Sequence, residues 1–191
     1  MISDKDLTDE QKAVLFIVNK LAEKFSVDKL YIQKVVFLMS KILPDIVTIY
    51  DYEPYKFGMF SSEVESIIRR EQDLNLMKDL NITETGKEVV ASISKTEEMQ
   101  QINQVFADIA GLGKEDILYL LYKLYPEFTI NSTIKERVDS YKLQSATIPT
   151  GHLKDGQDMT IKTDKGNFIK VKKENGVIKI LEYGESEYGQ N

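Results

Sequence analysis

The chain contains no cysteine and no tryptophan, and only one histidine among its 191 residues. Without cysteine there is no disulfide scaffold, no Cys-ligated zinc, no iron–sulfur cluster and no thiol nucleophile. One histidine excludes any site built on two imidazoles, the His-x-x-x-His zinc helices included. Long apolar runs are missing too. The run from Ala13 to Val18 is as long as any, far short of the ~20 residues that cross a bilayer. The opening residues Met1-Ile2-Ser3-Asp4-Lys5-Asp6 lack the basic start and apolar middle of a signal peptide, so a cytoplasmic protein with no membrane attachment is expected. A surplus of positive charge is also absent. The formal net charge of −6 argues against a simple cationic sheath for nucleic acid.

What remains is ordinary globular material, 42% hydrophobic and 29% charged, close to the average soluble domain. At ~100–200 residues per domain this is one domain, or one with a small appendage. Thr8-Asp9-Glu10-Gln11 reads as a capping box that opens a helix, with two carboxylates where the helix dipole favours them. Its apolar stripe (Val14, Leu15, Phe16, Ile17, Val18, Leu21, Phe25) is wide enough to be buried on more than one side. A second helix begins near Asp28 and ends at Pro44, because the residue before proline is pushed out of the α region. Ile46, Val47, Ile49, Tyr50, Tyr52 and Tyr55 suggest a strand or extended arm from Asp45 to Phe57, broken at Gly58.

Ser61 or Ser62 then caps a third helix carrying Val64, Ile67 and Ile68 inward, with Phe60, Leu74 and Met77 expected on the same side. Asp79 to Thr83 reads as a short strand, and Thr83 or Thr85 starts the next helix, inside which Gly86 is uncomfortable. Val89 to Ile109 supports one long helix, unless the polar stretch Ser94 to Gln101 breaks it. Two further helices follow, one carrying Ile117, Leu121 and Leu124 and stopping at Pro126, the other starting near Asn131. After Ala146 the pattern turns to alternating runs separated by Asp164-Lys165-Gly166-Asn167 and Glu174-Asn175-Gly176, the signature of a three-stranded antiparallel meander. The fold class is therefore α+β, mainly helical. The order helix, helix, extended segment, Ser-capped helix and short strand resembles a winged-helix unit, which implies a winged-helix-like domain over 1–146, followed by a β-meander over 147–184 and a tail over 185–191.

Two segments carry a resemblance. The helix Asp28-Lys29-Leu30-Tyr31-Ile32-Gln33-Lys34-Val35-Val36-Phe37-Leu38 resembles a motif helix of the Panacea-type, phage-associated antitoxin-like family. Tyr50-Asp51-Tyr52-Glu53-Pro54-Tyr55-Lys56-Phe57-Gly58-Met59-Phe60-Ser61-Ser62-Glu63-Val64 resembles the segment that follows it, and Tyr125-Pro126-Glu127-Phe128 a downstream one. Met59 stands where that pattern usually has proline. The likeness spans roughly residues 10–130 and leaves the meander outside. It implies a helical, winged-helix-like domain without enzymatic activity, and a protein partner such as a toxin or a protease. The phrase Leu80-Asn81-Ile82-Thr83-Glu84-Thr85-Gly86-Lys87 is similar to the wing strand and following helix of many winged-helix regulators.

Candidate sites follow. Tyr50, Tyr52 and Tyr55 form the partner-binding candidate, since aromatics are enriched at interfaces and tyrosine hydroxyls suit a half-wet position. Core packing is expected to claim Phe57 and Phe60. Arg69 and Arg70 on the third helix, helped by Lys56 and Lys78, are the nucleic-acid candidates of the alternative reading, a DNA-binding regulator. Residues 61–80 nevertheless carry three basic side chains against five acidic ones, and phosphate neutralisation normally supplies most of DNA affinity. His152 stands alone in a loop, without the companions a catalytic or metal site needs. Gly111-Leu112-Gly113-Lys114 lacks the flanking residues of a phosphate loop. No catalytic, cofactor or metal site is expected. The sequence reading is a non-enzymatic interaction module, antitoxin- or adaptor-like. A homodimer is also open, with a meander edge free to take a further strand.

Overall fold

The computed structural model describes residues 2–24, 26–49, 51–109, 112–141, 156–162, 167–174 and 177–185. Among them the protein is mainly helical, with small antiparallel sheets. The described chain falls into two compact units, one formed by 1–53 and 59–106, the other by 54–58 and 107–191. Contacts thus divide the chain near residue 106, whereas composition shifts near 146.

In the first unit, α1 (Asp9–Ala22) starts on the Thr8 cap, whose hydroxyl accepts from the Gln11 amide while the Gln11 side chain accepts from the Thr8 amide. Every residue from Ala13 to Val18 is buried, because α1 packs against α2 (Lys29–Ile42), α3 (Ser62–Asp73), α4 (Glu84–Ile93) and one strand of a ribbon. Asp28 caps α2 through the Tyr31 amide. The long arm expected from Asp45 to Phe57 is mostly not a strand. Leu43 to Val47 form a turn in which the Leu43 carbonyl accepts from the Ile46 and Val47 amides. Only Glu53–Tyr55 (β1) pairs, with β2 (Gly58–Phe60). Gly58 does not break the strand but begins the return, at φ +85°, a conformation that costs glycine nothing.

Of the strand expected at 79–83, only Asn81–Ile82 is strand. β3 (Met77–Lys78) and β4 (Asn81–Ile82) pair across Asp79-Leu80, both at positive φ, the arrangement of a two-residue type I′ turn. Leucine is a poor choice there, so composition did not signal the turn. The long helix expected from Val89 to Ile109 is two helices, α4 and α5 (Glu97–Ile109). Ser94 turns its hydroxyl back onto the Ala91 carbonyl, and Thr96 recaps α5 through the Met99 amide. Local side-chain bonds of this kind compete with continuing a helix.

In the second unit, α6 (Lys114–Leu124) stops before Pro126. A one-turn 3-10 helix over Pro126–Thr129 follows, and α7 (Lys135–Asp139) is shorter than its expected start at Asn131 implied. Leu118, Tyr119, Tyr122 and Val138 form its helical core, with Leu120, Ile134 and Tyr141 packed on it. The meander is present as β5 (Asp158–Lys162), β6 (Asn167–Glu174) and β7 (Val177–Glu185), antiparallel in that order. Its register pairs Met159 with Val171 and Val171 with Ile180, and a bulge lies between Lys170 and Val171. Both expected turns and the tail beyond Glu185 lie outside the described residues, as does His152.

Candidate functional site

The corner that turns from β2 into α3 is tied by side chains from α2. Gln33 reaches it from α2 and meets Ser61 twice, its Nε2 donating to the Ser61 carbonyl at 2.9 Å and its Oε1 accepting from the Ser61 amide at 3.0 Å. The Ser61 hydroxyl is then free to cap α3 through the Val64 amide. One residue further along α2, Lys34 is also buried and donates its Nζ to the Met59 carbonyl at 2.7 Å. Burial alone pulls this ammonium down to about 7. The Gln33-Lys34 pair therefore acts inside the fold rather than on its surface. Sequence reasoning did not single these two out, because an amphipathic helix normally puts such side chains in water.

Tyr52 belongs to the same corner. Its ring packs edge-on against Phe37, with centroids 4.8 Å apart at 85°, a favoured aromatic geometry. The neighbouring Ser40 hydroxyl is committed to the Phe37 carbonyl at 2.8 Å. The Tyr52 hydroxyl is left buried without a properly formed hydrogen bond, and burial holds it well above the usual phenol range against a smaller opposing effect of Ser40. Tyr52 thus packs its ring on Phe37 while the residue as a whole is half-buried. Tyr50 lies outside the described residues. An unpaired buried hydroxyl costs more than it contributes, so Tyr52→Phe is expected to raise stability by up to ~1 kcal/mol. An unfolding midpoint that falls instead would reveal a bond made by that hydroxyl.

Tyr55 and Phe57 behave differently. They stand at the ribbon tip in the second unit, 47% and 43% exposed. Phe57 is thus not in the core where sequence reasoning placed it, while Phe60 is half-buried. The tip is clamped from the loop after α6. The Asn131 side-chain amide donates to the Pro54 carbonyl at 3.0 Å, and Thr133 donates both its amide (2.8 Å) and its hydroxyl (3.1 Å) to the Lys56 carbonyl. Gly58 lies against the Tyr122 ring so closely that a Cβ there would meet Cε1 at 2.8 Å. The Tyr122 hydroxyl in turn pairs with Ser132 at 2.7 Å. Beside this clamp Ile130 is 72% exposed, so three large apolar side chains stand in water on a backbone that hydrogen bonds hold in place.

Arg69 and Arg70 are exposed on α3 and Lys78 at the end of β3, and Lys56 is exposed in the other unit. Arg69 is drawn to Glu65 (3.4 Å), which also holds Lys29 at 2.6 Å. At the start of α3 the Glu63 carboxyl is raised, first by burial and then by the charges of Asp51 and Glu10. That end of the helix sits in a negative field, the wrong sign for a phosphate backbone.

No protein-family model matches the chain, and neither curated proteins nor solved structures give a match. Among the described residues no helix is long and apolar enough to cross a membrane.

Proposed function

We propose that the protein is a non-enzymatic protein-interaction module whose partner docks on the ribbon tip. The exposed trio Tyr55, Phe57 and Ile130 carries this reading. Aromatic and aliphatic side chains left in water on a rigid frame are the usual anchors of an interface, and a fixed backbone lowers the ordering cost of binding. The resemblance of residues 10–130 to the Panacea-type family gives the reading its more specific form, an antitoxin- or adaptor-like protein whose partner is a toxin or a protease. The DNA-binding alternative, resting on Arg69, Arg70, Lys56 and Lys78, is disfavoured by the carboxylates around α3.

The test uses the tagged full chain to capture partners from its own cells, followed by titration of the purified partner. Phe57→Asp together with Ile130→Asp is expected to weaken binding at least ~10-fold, the usual scale for losing an interface anchor. Random duplex DNA should show no salt-sensitive binding at low ionic strength. Undiminished partner binding by the double variant, or duplex binding that falls steeply with salt, would overturn the proposal.

A further inference from the structure

A second surface lies in the first unit. Ile42, Leu43, Pro44, Asp45 and Ile46 at the end of α2 face Glu97, Glu98 and Gln101 at the start of α5 across an open groove of about 460 Å³. Its aliphatic side includes Ile42, 45% exposed although Met39 and Ser40 in the turn before it are buried. The turn that follows is closed on itself, since the Leu43 carbonyl already accepts from the Ile46 and Val47 amides. The wall is therefore preformed.

The lining carries three carboxylates, Asp45, Glu97 and Glu98, and no basic side chain. The nearest lysine on α2 is turned elsewhere, with the Lys41 ammonium 5.3 Å from the centroid of the Phe37 ring. The carboxyl end of α2 adds the negative pole of its dipole to the same groove. These carboxylates do not gather at one point. Among the described residues no three acidic or histidine side chains are placed to hold a metal ion. Negative charge spread along an aliphatic wall suits a long cationic side chain, whose methylenes lie on the wall while the head reaches a carboxylate.

We propose that this groove seats a basic, amphipathic segment of a partner protein. An apolar side chain of that segment covers Ile42 and Ile46, and flanking lysines or arginines meet Asp45, Glu97 and Glu98. The proposal rests on the interaction reading for its class of partner but not for its place, because the groove shares no residue with the ribbon tip.

The experiment is fluorescence anisotropy with the full chain and a labelled twelve-residue Lys–Leu peptide of helical amphipathic pattern. A Lys–Ser peptide of equal charge serves as control. Saturable binding of the Lys–Leu peptide is expected, with the Lys–Ser peptide at least ~10-fold weaker. Ile42→Ser should weaken the Lys–Leu peptide ~10-fold, and Glu97→Gln with Glu98→Gln by a similar factor. Raising salt should weaken it further, since exposed charges are screened. Amide chemical shifts should move along Ile42–Ile46 and Glu97–Gln101. Equal binding of the two peptides, or indifference to both sets of substitutions, overturns the groove. Shifts centred on Tyr55, Phe57 and Ile130 overturn it as well, while leaving the ribbon-tip reading in place. Loss of partner capture on Phe57→Asp and Ile130→Asp reads the ribbon tip alone, so the two failures are separable.

Discussion

Replacing Gly86 with alanine is expected to destabilise the first unit by about 3 kcal/mol or more, a clear fall in the urea midpoint. Helix propensity alone forecasts the opposite. In a helix interior alanine is better than glycine by ~1 kcal/mol. Tertiary contact decides the sign here. A Cβ on Gly86 would sit 2.1 Å from the Leu76 carbonyl oxygen and 2.8 Å from Cγ2 of Ile82. The first is backbone and cannot swing aside. The Leu76 carbonyl also accepts from the Thr83 amide at 3.0 Å, and the Thr83 hydroxyl donates to the Asn75 carbonyl at 2.6 Å while accepting from the Gly86 amide at 3.1 Å. Making room for one methyl would therefore pull apart the junction between the β3–β4 ribbon and α4. Gly86→Ser should be at least as damaging. An alanine variant as stable as the wild type would show that α4 slides freely over the ribbon.

Gly86 also shows where reading the sequence stops. The residue looked like a flaw in a helix because only the helix was in view. The contact that explains it comes from residues 76 and 82, whose approach is set by the ribbon. Local signals were legible wherever a side chain acts on its own neighbourhood. Thr8, Asp28, Ser61 and Thr83 all cap helices as their types suggested, and the three alternating runs after residue 156 are strands. Gly58 and the Asp79-Leu80 turn were misjudged because a ribbon of two or three residues per strand has too short a period to show. Tyr52 and Phe57, five residues apart in one aromatic segment, end in different environments, the first half-buried and the second exposed. Tyr52 meets Phe37 of α2, while Phe57 sits at the tip of a hairpin whose turn aims it at solvent. Composition treats them alike. The charges most buried in the first unit, Lys34 and Glu71, carried no sequence signal, since each sits on a helix whose polar face accounts for it.

Those two buried charges push the pH dependence of stability in opposite directions, Glu71 lowering stability as pH rises above the ordinary carboxylate range and Lys34 raising it above pH 7. Glu71 is fully buried with neither carboxylate oxygen bonded, and burial raises it well above the ordinary range. Its folded form holds the proton that the unfolded chain releases. Stability therefore falls as pH rises above the ordinary carboxylate range, until the folded carboxyl itself ionises. Lys34 acts in the opposite direction. Burial takes its ammonium from 10.5 to about 7, so the penalty of burying the charge is complete below pH 7. Between that point and ~10.4, where the unfolded lysine titrates, the unfolded chain binds the extra proton and stability rises by ~1.4 kcal/mol per pH unit.

Lys34→Met separates the two. Near pH 6 it should stabilise by about 2 kcal/mol, the relief of a buried charge less the donor lost to the Met59 carbonyl. Above ~pH 11 the lysine is neutral in the folded and the unfolded chain alike, the relief has gone and only the lost hydrogen bond remains, so the variant should be the less stable by ~1 kcal/mol. The change of sign is the informative result, because a packing effect of methionine would be the same at both pH values. Glu71→Gln should leave the alkaline rise intact and flatten the fall from acid towards neutral pH. A Lys34→Met effect independent of pH would mean that water reaches the ammonium. Lys34 donates to a carbonyl of the corner that Gln33 and Ser61 also tie. That outcome would accordingly require the corner to open, and amide exchange at Ser61 and Val64 would detect it independently.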